Sequence, residues 1–352
     1  MIDALLRMFK TKFFQQAMQD PSGFEKSLNK FFLPIIIITP IIIFFLNFPE
    51  EKENHSIYRE KPNFNITEAI SPIPSKVIID LRKAEIGEYL FSSTLLSKSN
   101  DLSCSTCHSI SSGGTIRKQN ENTLNPPTVF NAGLLHSLND FHAGDSEDLF
   151  YKDLVHFPDE MGSLNERINS LQKDSFLKNK VSEIYKSSIS ESIIVDLLKE
   201  YIFSLYTPNS KFDQYLKGNK SILEDDEKQG YVLFKELGCI TCHQGVNLGG
   251  NLYQKIDPTG YFFKDKIPTK IDLGKFLKTN LEEDKYKFKV PTLRNISITS
   301  PYLHDGSIYS LNDVVQYMAK YQLGKNLSDE DTTKIVKFLK TLTGEYKGKI
   351  LQ

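Results

Sequence analysis

Cys104-Ser105-Thr106-Cys107-His108 and Cys239-Ile240-Thr241-Cys242-His243 are the two pentapeptides on which the reading of this chain turns. All four cysteines fall inside them, so none is left for a separate disulfide or thiol chemistry. In c-type haem attachment the two sulfurs form thioethers to the vinyl groups, and the adjacent histidine ligates the iron as proximal ligand. A zinc half-site needs further cysteine or histidine ligands at regular spacing, and no Cys-x-x-Cys remains to supply them. A redox dithiol is the other alternative to the haem reading.

The same lead-in precedes both motifs. Gly87-Glu88-Tyr89-Leu90-Phe91 comes before the first and Gly230-Tyr231-Val232-Leu233-Phe234 before the second. A Gly-x-x-Leu-Phe element repeated with its cysteine motif implies two related modules. Each module closes on a helical stripe: Ile194, Leu197, Leu198, Tyr201 and Leu205 in the first, Ile335, Phe338, Leu339 and Leu342 in the second. Ser190 and Ser328 are candidate N-caps, and Gly344 a candidate C-terminal stop. Strand signals are sparse. The expected fold is mainly α: two cytochrome-c-like haem domains, 76–206 and 207–352, joined through 207–218.

Upstream, Phe31 to Phe48 is an almost unbroken apolar run that as a helix spans roughly 27 Å at about 1.5 Å per residue. Pro34 and Pro40 weaken it as a soluble core helix but are tolerated in a membrane. No small-residue cleavage site follows, so one uncleaved transmembrane helix, 31–48, is expected after a cytoplasmic segment, 1–30. Arg7, Lys10, Lys12, Lys26 and Lys30 precede it and favour an inside N-terminus. Residues 49–75, proline-punctuated and without periodicity, read as a tether, with His55 a solvated histidine. The length of 352 residues suits two modules plus these extras, and a net charge of -1 does not point to nucleic acid.

From about Lys76 to Tyr346 the chain resembles the bacterial di-haem cytochrome c peroxidases. The stretches that carry the resemblance are Thr207 to Gly218 (TPNSKFDQYLKG), Phe288 to Asn295 (FKVPTLRN), Pro301-Tyr302-Leu303-His304-Asp305-Gly306 and Tyr321-Gln322-Leu323-Gly324. The resemblance implies an N-terminal peroxidatic haem that meets hydrogen peroxide and a C-terminal, higher-potential haem that relays electrons. His108 and His243 are then the proximal iron ligands. Met318 matches the second haem's distal ligand, and methionine arithmetic agrees. Met1, Met8 and Met18 precede the membrane run, Met161 lies in the first module, and only Met318 remains. A thioether opposite histidine raises a haem's potential; without the resemblance the same residue reads as core packing. The related methylamine-utilisation enzymes carry tyrosine there, so Met318 favours the peroxidase branch.

The resemblance also implies that Glu160, in Pro158-Asp159-Glu160-Met161-Gly162, is the distal acid-base that moves a proton between peroxide oxygens. Here the chain departs from the family pattern. Residues 109–127 hold no histidine where many members carry one that caps the peroxidatic iron until the other haem is reduced; Arg117 lies near that place. Tryptophan is absent, and Phe141-His142 stand where a tryptophan-containing segment lies between the haems. Phe150 and Leu154 replace an expected glutamine and proline. His136, His142 and His156 are candidates to compensate as distal base or ligand. His304 matches a histidine near the electron-transfer haem, and Arg294 suits a haem propionate. Asn125, Thr299 and Pro301 match the oxygen ligands of an inter-domain calcium.

These expectations define a di-haem oxidoreductase taking electrons from a cytochrome c, a blue-copper protein or membrane quinol. It would be anchored in a bacterial inner membrane with its catalytic domains in the periplasm, and a homodimer is compatible with the resemblance. The alternatives are a di-haem enzyme that oxidises a protein or organic substrate, and a non-catalytic di-haem electron carrier.

Overall fold

The computed structural model describes residues 68–116, 124–135, 164–260 and 267–352. In the first module, α1 (Leu81–Ser92) starts where the Asp80 carboxylate accepts the amides of Arg82 and Lys83. After the first cysteine motif come α2 (Leu164–Leu171), α3 (Ser175–Tyr185) and α4 (Glu191–Ser204). The Ser190 hydroxyl caps α4 by accepting the Ile193 amide. In the second module, α5 (Lys211–Leu216) opens on a capping box in which Ser210 and Asp213 bond each other's backbone amides. It is followed by α6 (Asp225–Glu236), α7 (Leu311–Leu323) and α8 (Asp329–Lys340), the last capped by Ser328. Acidic first turns on α6 and α8 meet the positive end of each helix dipole. The strands are short: β1 (Tyr253–Lys255) pairs antiparallel with β2 (Lys287–Lys289), and β3 (Glu345–Tyr346) with β4 (Lys349–Ile350).

The two closing stripes are buried as their periodicity demands. Leu197, Leu198 and Leu205 lie in one core with Leu90, Phe91 and Phe130. Ile335, Phe338, Leu339 and Leu342 lie in another with Phe212, Tyr231 and Phe234. Within each module the opening helix crosses the closing helix, α1 on α4 and α6 on α8. The repeated glycine is the reason they come so close. A Cβ on Gly87 would collide with the Leu197 carbonyl oxygen and the Tyr201 Cβ, and one on Gly230 with the Lys334 carbonyl and the Phe338 Cβ. The Gly-x-x-Leu-Phe element is thus a helix-crossing device used twice. Gly230→Ala is expected to destabilise the fold by about 1–3 kcal/mol through overpacking, exceeding the roughly 1 kcal/mol that alanine gains in helix propensity. Denaturant unfolding measures the balance; an unchanged or raised midpoint would refute the crossing argument.

The ends of the described chain cross over. Glu68–Ser75, part of the stretch read as tether, packs on the second module: Ile70 is 2% exposed and Ile73 0%. Proline at 72 and 74 removes regular secondary structure without removing apolar side chains, which is why polarity and proline content mislead here. Conversely, Tyr346 and Leu351 of the C-terminal hairpin pack against the first core. Gly344 is not the stop expected for α8, which ends at Lys340. Its lack of a side chain instead admits the Thr207 and Pro208 carbonyls. Among the described residues no helix is long and apolar enough to cross a membrane; the run 31–48 lies outside them.

Candidate haem sites

Both cysteine motifs are held in tight turns. Cys104–Cys107 forms one helical turn and Cys239–Thr241 a 3-10 turn. Each is closed by the following histidine: the His108 amide donates to the Cys104 carbonyl at 2.9 Å and the His243 amide to the Cys239 carbonyl at 3.0 Å. No disulfide joins the four cysteines. Burial pushes the Cys104 and Cys239 thiols up to about 11, opposite to the depressed value a reactive dithiol needs.

The imidazoles are oriented by the main chain. His108 Nδ1 lies 3.4 Å from the Gly114 carbonyl and His243 Nδ1 3.0 Å from the Leu248 carbonyl. A carbonyl only accepts, so Nδ1 carries the proton and Nε2 carries the lone pair that a metal takes. Burial lowers both imidazoles' tendency to protonate, His243 down to about 4, and a neutral ring is the ligating form. The residues therefore fit a proximal haem ligand in each module.

A second repeat supports these loops. Pro127-Thr128-Val129-Phe130-Asn131 and Pro291-Thr292-Leu293-Arg294-Asn295 share Pro-Thr-x-x-Asn. Thr128 Oγ1 donates to the Gly113 carbonyl at 2.6 Å, and Thr292 Oγ1 to the Asn247 carbonyl at 2.7 Å. Each clips its proximal-histidine loop at an equivalent place. Asn131 and Asn295 both adopt left-handed backbone, with φ of 60° and 62°. Their side chains meet at buried Thr207: Asn131 Nδ2 and Asn295 Nδ2 reach its hydroxyl at 2.8 and 3.0 Å. The join between modules is thus a satisfied polar network within the fold's interior.

Met318 is half-buried on α7, one helical turn from buried Val314 and Val315. The His304 Nε2 lies 2.8 Å from Asp272 Oδ1, and its ring faces Phe288 with centroids 4.3 Å apart. Its carbonyl accepts the Asn125 amide at 2.7 Å, so His304 links the two modules. Asn125 Nδ2 approaches the Pro301 and Leu303 carbonyls at 2.7 and 3.0 Å, while its buried Oδ1 has no hydrogen-bond partner among the described residues. Thr299, at the end of a 3-10 turn, directly precedes Ser300 and Pro301. Arg294, expected beside a haem propionate, is held here by protein partners. Its guanidinium is fully buried and engaged with Asp213 Oδ1 at 2.8 Å, Ser210 and the Ser71 and Val246 carbonyls. Glu160, His136, His142, His156, Arg117, Phe141, Phe150 and Leu154 lie outside the described residues.

Comparison with known proteins decides what this duplicated arrangement is. A cytochrome c551 peroxidase from Nitrosomonas europaea is 36% identical over 291 residues, covering 79% of this chain and 85% of that protein. The chain belongs to the di-haem cytochrome c peroxidase family. The profile of that family, Di-haem cytochrome c peroxidase, matches residues 81–221. A cytochrome c peroxidase from Escherichia coli is also 36% identical, over 292 residues; the match covers 79% of this chain but only 62% of that longer protein. In fold, this family member is similar to a MauG-like protein associated with microbial copper homeostasis. The TM-score is 0.66 at 21% identity, covering 82% of this chain and 96% of the other.

Proposed function

We propose that this di-haem peroxidase reduces hydrogen peroxide to two waters, using two electrons from a small donor and two protons. Electrons would enter at the C-terminal haem and peroxide would react at the N-terminal one. The observation that carries the reading is the pair of half-buried imidazoles, each with Nδ1 turned to a carbonyl and Nε2 left for iron, in a chain of this family. When bound, the haems supply the redox chemistry. Cys104 and Cys107, and Cys239 and Cys242, would hold them covalently. Met318 would complete the second site, and Glu160 would carry a proton from one peroxide oxygen to the other, turning it into a water leaving group. His142 and His156 are the proposed auxiliaries in that region.

Steady-state peroxide consumption by the purified haem-loaded protein with a reduced cytochrome, copper protein or quinol tests this reading. The oxidised protein should show a high-spin, five-coordinate signal beside a low-spin one. Two capped, low-spin irons without peroxide consumption would identify a carrier instead. Because residues 109–127 contain no histidine to cap the first iron, turnover is expected without pre-reduction. A lag abolished by pre-reducing the second haem would contradict that.

Asn125, Thr299 and Pro301 would hold calcium between the modules. The buried, unpartnered Asn125 Oδ1 fits this, since turning the amide over would aim it where Nδ2 now meets two carbonyls. The ion would cross-link without redox chemistry. Chelation should lower the thermal midpoint, with calcium restoring it and magnesium not, because magnesium gives up its water reluctantly. An unchanged midpoint in chelator would remove the ion from the proposal. A membrane anchor at 31–48, read from the apolar run there, would put the reaction at the outer face of a bacterial inner membrane, the periplasm, where a soluble donor or quinol would meet it.

A further inference from the structure

Two stretches that carry the family resemblance, one containing Asp213 and the other Arg294, have no part in the reaction described above. They meet as an ion pair whose side chains are both 0% exposed. Removing two charges from water is unfavourable unless their remaining hydrogen-bonding groups are satisfied, so what satisfies them is informative. Asp213 Oδ1 accepts the Ile73 amide at 3.0 Å, and Oδ2 accepts the Ser210 amide at 3.2 Å. Arg294 Nη2 donates to the Ser71 carbonyl at 2.9 Å and Nε to the Val246 carbonyl at 2.9 Å. The pair is therefore a junction between the N-terminal strap, 68–75, and the loop that follows the second proximal histidine.

The strap also pairs with that loop directly. The Gly245 amide donates to the Ala69 carbonyl at 2.8 Å, and the Ser71 amide returns to the Gly245 carbonyl at 3.4 Å, so Ile70 and Gly245 form a parallel bridge. Gly245 is two residues beyond His243, and Leu248, whose carbonyl orients the His243 ring, is three further on. On the opposite side Thr292 clips the Asn247 carbonyl. Ile70 and Ile73 anchor the strap by burial, and Glu68 and Ser75 tie its ends to Tyr231 and Lys217.

Among the described residues the first module has no counterpart of this device. At the position equivalent to Arg294 in the Pro-Thr-x-x-Asn repeat it has Phe130, which packs on Tyr346 with centroids 5.1 Å apart. Among the described residues its proximal loop is held by the threonine clip, the neighbouring Val129 amide bond to the Gly114 carbonyl and the Thr115 hydroxyl bond to the Pro126 carbonyl. The asymmetry lies in the side of the molecule proposed for electron relay.

We propose that the strap Glu68–Ser75 and the Asp213–Arg294 pair form a clamp that positions the His243 loop and thereby sets the potential of the second haem alone. Arg294 and Asp213 are positioning residues, acting through Val246, Gly245 and Leu248 on the ligand. A clamped loop excludes water and keeps His243 in one orientation, and burial and the hydrogen bonds that hold the ligating imidazole are the levers by which a protein tunes a haem. The proposal rests on haem attachment at Cys239 and Cys242.

The test uses the full-length, haem-loaded protein and three variants, Arg294→Met, Arg294→Lys and Ile73→Ala. The readouts are amide hydrogen exchange at Gly245 and redox titration resolving the two haems. Arg294→Met removes a buried positive charge and opens the loop, and both effects favour the ferric form. Exchange at Gly245 should accelerate at least tenfold, and the second haem's one-electron equilibrium should move about tenfold toward ferric, a lowering of about 59 mV. Arg294→Lys keeps the charge but not the fork, and should accelerate exchange with a smaller fall in potential. Ile73→Ala leaves the ion pair in place and loosens the strap, so it tests the clamp even if the arginine variants do not fold. It should accelerate Gly245 exchange and lower the second potential with the first unchanged. Faster exchange with an unaltered second potential, or equal shifts of both haems, would overturn the clamp. A pyridine haemochrome assay on the same samples separates the two levels. Fewer than two covalent haems in the unmutated protein removes the functional reading beneath the clamp, whereas two haems and no selective shift remove the clamp alone.

Discussion

Glu160→Gln is expected to lower peroxide turnover by roughly 10²–10⁴-fold, the range over which a positioned general acid-base contributes. Glutamine keeps the size and hydrogen-bonding reach of the side chain but cannot take a proton from one peroxide oxygen and deliver it to the other. Without that transfer hydroxide, and not water, must leave. The loss should appear in turnover at saturating peroxide, with both haem spectra and the rate of donor oxidation by an artificial oxidant unchanged. His142 and His156 set the floor: if either takes over as base, the loss contracts toward the lower end and becomes steeply pH-dependent around the histidine range. A variant that turns over within a factor of two of the parent would remove Glu160 from the mechanism.

The second large effect is on stability. Arg294→Met should destabilise the second module by about 3–5 kcal/mol, because it leaves the Asp213 carboxylate buried without its counter-charge. Both side chains are wholly enclosed, so solvent screening does not reduce the penalty. A domain holding about 5–15 kcal/mol in total would lose a large share of it. Adding Asp213→Leu to Arg294→Met should recover part of the loss, since a buried apolar pair carries no stranded charge, although the Ile73 and Ser210 amides would then lose their acceptor. Denaturant midpoints for the two single variants and the double variant measure the coupling. Additive losses would mean that the pair is not coupled as its geometry requires.

Much of the molecule is legible in the amino-acid sequence. The two Cys-x-x-Cys-His motifs name their own chemistry because the attachment reaction demands that spacing. The closing stripes were read from periodicity alone, and every residue named in them is buried. Ser190 and Ser328 cap the helices they precede. The Pro-Thr-x-x-Asn repeat was equally visible at 127–131 and 291–295. It was missed because it lies at different distances from the two cysteine motifs, which hides it from a search for matched spacing. Residues 68–75 were misread for a physical reason: two prolines and no periodicity describe a segment without secondary structure, and such a segment can still be buried. The pairing of Arg294 with Asp213 was not legible, because a guanidinium suits any carboxylate and the sequence does not say which one it meets.

By itself the amino-acid sequence determined that two helical modules arise from one duplicated pattern, each with a covalent attachment motif and an adjacent imidazole, because these properties depend on neighbours along the chain. Only tertiary structure decided which carbonyl holds each imidazole, that Thr207 joins Asn131 to Asn295, and that the N-terminal strap belongs to the second module while the C-terminal hairpin packs on the first core. The imidazole carbonyls lie 6 and 5 positions away, but the other outcomes depend on partners 76 to 223 positions apart. They are selected when buried donors, acceptors and charges compete for one another in an interior that water no longer satisfies.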